Sequence, residues 1–303
     1  MPDTELLDTA VMAVLDGMVD LHVHSGPNPF PREFDHVEGA RDAQRLNMAG
    51  MLVKSHHHNT VMDLLAMREQ LADVKTQVFG GIALNSQIGG LNPDAAAMSL
   101  RMGGRAVWFP TFSSRRHLEA HPEGGGFPTA SFELPNRIVE VRNPDGSLRD
   151  EVYEVLDLVA ESDALLSAGH LYPDQILDIF TQARTRQVRR MVISHPNFVI
   201  DADPAQCREF VALGAFVEHE VGQYDPHGNK KWDPASLLDW IHAVGPEHTV
   251  LASDLGQHGR PMPVEAFLRV GRLLLDLGLA EADLHRMTVT NPSFLIGLSP
   301  DRP

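Results

Sequence analysis

The chain has little of what would place it in several large protein classes. It has one cysteine, Cys207, so an intrachain disulfide is excluded and a reducing, cytoplasmic setting is expected. No uncharged apolar run reaches membrane-spanning length, and the first residues lack a basic segment followed by an apolar core. Neither a membrane span nor an export signal is therefore expected. There is no lysine-rich run. With 25 basic against 41 acidic residues the formal net charge is −16, which argues against a nucleic-acid partner because phosphate contacts need clustered Lys and Arg. No Gly-x-Gly-x-x-Gly follows the first strand-like segment, so dinucleotide binding has no support.

What is present is a chain of 303 residues, 43% of them hydrophobic, enough for one large domain with a substantial core. There are 16 histidines, and their placement matters more than their number. Met18-Val19-Asp20-Leu21-His22-Val23-His24 reads as a short apolar strand ending in two histidines that, by strand alternation, face the same way.

Strand-like runs then alternate with helix-like segments. An amphipathic helix within Met1 to Asp16 leads into strand one. A proline-rich loop and a helix near His36 to Leu46 follow, then strand two, Gly50 to Lys54, which opens into Ser55-His56-His57-His58. Asn59 or Thr60 caps the helix Val61 to Leu71. Strand three is Gln77 to Leu84, a helix starts at Pro93, and strand four is Arg105 to Phe109. Pro110 to Arg149 breaks the rhythm. It holds Gly124-Gly125-Gly126 and turn chemistry at Asn143-Pro144-Asp145-Gly146, and reads as an insertion between a strand and its helix. Strands Ala164 to Ala168, Arg190 to Ser194, Ala215 to Glu218 and Thr249 to Ser253 complete the series, each followed by a helix. Eight alternating units predict a single (β/α)8 TIM barrel over residues 1–303, with an insertion at about 110–149 after strand four. An open doubly wound sheet is the competing fold.

On this scheme His22 and His24 end strand one, and Lys54 and His56 end strand two. His170, His195 and Asp254 end strands five, six and eight. In a parallel barrel these ends meet on one face, where active sites are built. Imidazole and carboxylate suit zinc and similar divalent ions, and a metal lowers the pKa of its water to about 7. Asp254 is the candidate proton shuttle. Taken singly, each histidine has an ordinary alternative as a buried ring satisfied by backbone.

In these strand-end residues, and in Asn291-Pro292-Ser293-Phe294-Leu295-Ile296-Gly297-Leu298, the chain resembles the amidohydrolase superfamily. The resemblance implies a metal-dependent barrel hydrolase, with His22, His24, His170, His195 and Asp254 around one or two metals. Zinc is the default ion. Many two-metal members carry a carboxylated lysine or a glutamate on strand four. Here that strand reads Arg105-Ala106-Val107-Trp108-Phe109, and the nearest substitute is Lys54. An ammonium cannot ligate, so Lys54 would bridge two metals only if carboxylated or deprotonated, and would otherwise be a cation stabilising an oxyanion. With one metal on His22, His24, His170 and Asp254, His195 would act on substrate. His56, Arg115, Arg116 and Tyr224 are candidate substrate contacts, the two arginines as a clamp for a carboxylate. Asp20 is expected to orient a ligand histidine or cap a buried donor, Glu218, His219 and Glu220 are pocket candidates, and His57 and His58 are expected to face loop solvent.

The expected function is hydrolysis of an amide, cyclic amide, imide or lactone in a small molecule, with metal-bound hydroxide attacking the carbonyl carbon. Three alternatives stay open: a metal-dependent decarboxylase of the same superfamily, a polymerase-and-histidinol-phosphatase type barrel, and a non-enzymatic metal- or ligand-binding barrel. Substrate identity and oligomeric state, including a homo-oligomer, are left open.

Overall fold

Eight short apolar runs, each followed by a segment able to pack across it, produce eight parallel strands. In the computed structural model, residues 9–121, 134–228, 231–299 and 302 are described. The strands are β1 (Val19–Val23), β2 (Gly50–Val53), β3 in two pieces (Gln77–Phe79 and Gly81–Ala83), β4 (Ala106–Trp108), β5 (Leu165–Ser167), β6 (Arg190–Ser194), β7 (Ala215–Glu220) and β8 (Thr249–Ala252). Every pairing between neighbours is parallel. The ring is completed beyond the end of β8. Val23 bridges Leu255, the His24 N–H donates to Leu255 O at 2.7 Å, and the Asp254 N–H donates to His22 O at 2.8 Å. The expected (β/α)8 barrel is therefore the observed architecture.

β3 is interrupted at Gly80 for a steric reason. A side chain there would meet Val61 N at 2.9 Å and Thr60 Oγ1 at 3.0 Å. The Thr60 hydroxyl stitches the gap, accepting from Gly81 N at 3.0 Å and donating to Val53 O at 3.0 Å. Thr60 also opens the helix Thr60–Ala66, whose cap Asn59 accepts from Val61 N.

The barrel interior is filled by Val19, Leu21, Leu52, Ala83, Ala106, Trp108, Leu165, Val192, Phe216 and Val250. Its N-terminal mouth is stopped by the last helix, Asn291–Ile296, through Phe294, Leu295 and Ile296, and Asn291 Nδ2 ties that helix to Thr249 O at 2.7 Å. A larger apolar cluster on the outer face joins β3 to β7 with their helices, including Val155, Ile179, Phe180 and Phe210. Among the described residues no helix is long and apolar enough to cross a membrane.

Several local expectations shift. The N-terminal helix is described over Thr9–Val14, and its predicted earlier part lies outside the described residues, as does Gly124-Gly125-Gly126. The insertion contains a helix, Arg115–Ala120, that its composition concealed. Ser114 caps it by accepting from His117 N at 3.0 Å, while the same hydroxyl donates to His170 O at 2.6 Å. The Asn143 turn closes as expected, with an antiparallel bridge between Arg142 and Leu148.

Buried Asp20 holds the seam where the ring closes. Its Oδ1 accepts from Ser253 N at 2.9 Å and His22 N at 3.1 Å. Asp20→Ala strands two buried N–H groups and should lower unfolding free energy by about 2 kcal/mol or more. Asp20→Asn keeps an acceptor oxygen and should retain most of that stability. Urea denaturation of both variants checks this, and equal losses would contradict it.

Candidate metal centre

The site begins with a register slip. Asp20 pairs with Met51 but Val23 pairs with Val53, so three steps on β1 face two on β2. Leu21 packs into the interior, yet Val23 packs outward beside Met51 and Val53. The bulge thus turns His22 and His24 inward above the apolar plug, as bulges beside functional sites commonly re-aim side chains. Both rings are buried, their centroids 5.0 Å apart.

Each ring is gripped from behind through Nδ1. His22 Nδ1 donates to Glu218 Oε1 at 2.8 Å, and His24 Nδ1 donates to the Lys54 carbonyl at 3.0 Å. A carbonyl can only accept, so the proton of neutral His24 sits on Nδ1 and its Nε2 keeps a lone pair. That lone pair faces Asp254 Oδ1 at 3.1 Å, and His22 Nε2 lies 3.6 Å from the same oxygen. Burial pushes both imidazoles down to about 3, so neither readily supplies a proton to relieve the contact. Burial alone would raise the carboxyl of Asp254, but the imidazoles of His24, His22 and His195 beside it hold it well below the usual carboxylate range. Three electron-pair donors thus converge in a buried space.

Around this group stand the remaining strand ends. Lys54, wholly buried, places Nζ 3.1 Å from His22 Nε2 and 5.6 Å from the centre of the Trp108 ring. Burial pulls its ammonium down to about 8, against the opposing pull of Asp254, Glu218 and Glu220. His195 and Asp254 both have left-handed backbone, φ 58° and 52°, a conformation non-glycine residues rarely hold outside functional sites. The His195 N–H donates to Glu220 Oε1 at 2.9 Å, and its Nδ1 lies 3.1 Å from the same oxygen. Burial lowers His195, but Glu220 outweighs it and the net shift is upward. His170 meets His117 Nδ1 to Nδ1 at 2.9 Å and stacks on it, leaving His170 Nε2 without a hydrogen-bond partner among the described residues. Its ring is 5.1 Å from that of His195 and 6.2 Å from that of His56. His56 Nδ1 is tied to Thr111 Oγ1 at 2.8 Å.

The donor atoms of His22, His24 and Asp254 lie within 4.8 Å of one another, as do those of His22, His195 and Glu220. Imidazole nitrogens backed by carboxylate or carbonyl, converging with a carboxylate, are the donor set of divalent first-row ions, and the residues fit such an ion.

The structure brings His22, His24, Lys54, His56, His170, His195 and Asp254 to one mouth of the barrel. It does not bring the other three candidates there. Arg115, half exposed, pairs with Glu140; Arg116 pairs with Asp201 at 3.3 Å and Ile200 O. Tyr224 is buried in a separate apolar cluster and accepts from Asn197 Nδ2 at 3.0 Å. Glu218 and Glu220 carry more of the site than expected. β7 runs two residues further than the apolar pattern suggests, so both carboxylates are strand residues on the inner face, while His219 points outward onto Trp240. His117 enters on the capped helix of the insertion. His57, expected in solvent, is buried.

Glu218→Ala should weaken binding of zinc about 10–100-fold, because outer partners of ligating imidazoles typically contribute that much. Competition against a chelating dye checks this; affinity unchanged within about twofold would show that Glu218 does not bear on the metal.

The sequence matches the profile described as "Family of unknown function (DUF6282)" over residues 17–218. No curated protein matches. Solved structures do. An amidohydrolase from Pseudomonas aeruginosa aligns at a TM-score of 0.63 with 10% identity, covering 96% of this chain and 98% of that one. The probable dipeptidase PvdM from Pseudomonas aeruginosa aligns at 0.60 with 11% identity, covering 98% of each. The organophosphorus hydrolase from Deinococcus radiodurans aligns at 0.57 with 14% identity, covering 93% and 92%. At such identities the likeness is one of fold, the barrel of the amidohydrolases. The profile match, which spans β1 to the inner carboxylate of β7, makes this chain a member of the DUF6282 family.

Proposed function

We propose that this chain is a metal-dependent hydrolase acting on a carbonyl-centred bond of a small molecule: an amide, cyclic amide, imide or lactone. The observation that carries the reading is the contact between His24 Nε2 and Asp254 Oδ1, two acceptors 3.1 Å apart that a shared cation would reconcile. The hydrolase names of the solved structures with this barrel support it.

His22, His24 and Asp254 would hold the ion, with His170 and His195 reaching it or the substrate from the opposite strands. A divalent ion, zinc by donor type, would acidify a water to a pKa of about 7 and polarise the carbonyl. The protein's own groups do the rest. Asp254, held ionised, takes the proton of the attacking water and delivers it to the leaving nitrogen or oxygen. His195, kept readily protonated by Glu220, stands where a donor can steady the oxyanion. Lys54 has two roles available. As an ammonium it is a further oxyanion donor; carboxylated, it becomes a bridging ligand for a second ion, a role the tryptophan-bearing β4 does not fill.

Three measurements test this. Chelation should abolish hydrolysis across a panel of amides, imides and lactones, and zinc, manganese or cobalt should restore it. Reaction in ¹⁸O-water should place label in the product carboxylate. Asp254→Asn should lower kcat by about 10²–10⁴-fold. Release of carbon dioxide without label would establish a decarboxylase instead, and a metal-loaded protein inert to the whole panel would contradict the reading. For Lys54, metal analysis with and without bicarbonate decides. Two ions per chain falling to one in Lys54→Ala is the bridging result; one ion in both proteins leaves Lys54 a cation.

A further inference from the structure

The loop after β1 carries a guanidinium with two nitrogens that no hydrogen bond holds among the described residues. Arg32 pairs through its backbone with Gln257, three residues past Asp254, and Gln257 Nε2 donates to the Asp254 carbonyl at 3.0 Å. The neighbouring Glu33 N–H donates to Gly256 O at 2.9 Å. This lays the β1 loop along the β8 loop at the rim of the metal centre. Arg32 Nε and Nη2 are buried and have no hydrogen-bond partner among the described residues. The acids on its own segment are engaged elsewhere. Glu33 accepts from Gly259 N at 2.7 Å and pairs with His258, and Asp35 caps the helix His36–Ala43. Buried guanidinium nitrogens without hydrogen bonds are costly, and such groups persist mainly where a ligand or water completes them.

A second orphan lies in the same region. His57 has both ring nitrogens buried without partners. Its ring sits 5.2 Å from Phe30 and 5.3 Å from Phe112, and 6.0 Å from His56. Phe30, two residues before Arg32, lays this segment against His57, and Gln257 ties its other side to Asp254, so the charge of Arg32 bears on His57, His24 and Asp254 alike. Arg260, on the β8 loop, is a further cation within reach of Asp254.

We propose that Arg32, with His57, Phe30 and Phe112, forms a subsite that binds the carboxylate of a substrate with an apolar or aromatic body. The inference rests on the hydrolase reading for the word substrate, but the subsite itself is defined by these four side chains. A guanidinium matches a carboxylate through two parallel N–H donors, the imidazole supplies one more polar contact, and the phenyl rings cover the body of the ligand.

Binding to the full-length protein separates the outcomes without requiring turnover. Benzoate, benzamide and inorganic phosphate are titrated by calorimetry into the protein as purified. Benzoate should bind about tenfold or more tightly than benzamide and more tightly than phosphate. Arg32→Gln should abolish the preference, Arg32→Lys should restore part of it, and Arg32→Gln should melt no lower than the parent, since removing an unpaired buried charge does not destabilise. Equal binding of benzoate and benzamide, an unchanged preference in Arg32→Gln, or tighter binding of phosphate overturns the proposal. A melting temperature that falls in Arg32→Gln with the preference unchanged assigns Arg32 a structural role and also overturns it. Carboxylate preference without hydrolysis of any amide, imide or lactone would sink the hydrolase reading and leave the subsite standing; hydrolysis with no such preference would do the reverse.

Discussion

Two imidazoles held from behind are the constraint on which the rest of the site depends. Glu218 and the Lys54 carbonyl fix which nitrogen of His22 and His24 carries the proton, and so leave the His24 Nε2 lone pair facing Asp254 and that of His22 between Asp254 and the Lys54 amine. In water such a group of acceptors would be solvated and unremarkable. Buried, it is unfavourable until a cation enters, because low local dielectric magnifies repulsion as it magnifies attraction. The same arrangement that costs stability without a metal would give the site its affinity with one, a coupling general to metal centres.

The fold supplies this geometry through closure. β1 and β8 meet through Val23 and Leu255, with Asp20 accepting from both sides of the seam, and the candidate ligands His22, His24 and Asp254 sit directly above it. The bulge in β1 lets Leu21 fill the apolar plug while His22 and His24 still face inward. Below, Phe294, Leu295 and Ile296 stop the barrel, so the polar face lies at the opposite end, beside the loops after β1, β2, β4 and β8. Those loops carry Arg32, His57, Phe112 and Arg260, the groups placed to read the substrate under the proposal above.

Much of this was legible in the chain. Regular alternation of apolar runs and helical segments gave the barrel, and histidines at successive strand ends marked one face of it, because in a parallel ring strand ends need no long-range information to be grouped. Four things were not legible. Glu218 and Glu220 lie in Glu218-His219-Glu220, whose polarity ends the apolar pattern two residues before the strand itself ends; only the alternation of β7, with Val217 and His219 outward, shows that both face inward. The role of the Lys54 backbone carbonyl cannot be read from any side chain. Arg115 and Arg116 attracted notice as adjacent cations in a long loop, yet Ser114 turns that loop into a helix on which they meet Glu140 and Asp201, and His117 is the residue it delivers. Arg32, isolated among prolines and phenylalanines, gave no pattern, and its importance lies in the partners it lacks.

The most direct measurement is an anomalous difference map at the zinc edge from crystals of the full-length protein grown with zinc. The account predicts a peak about 2.0–2.2 Å from His22 Nε2, His24 Nε2 and an Asp254 carboxylate oxygen. A map without a peak there, with His24 Nε2 still in direct contact with Asp254, would mean that the imidazole is protonated and the cluster is an ion pair, and the central claim would be wrong.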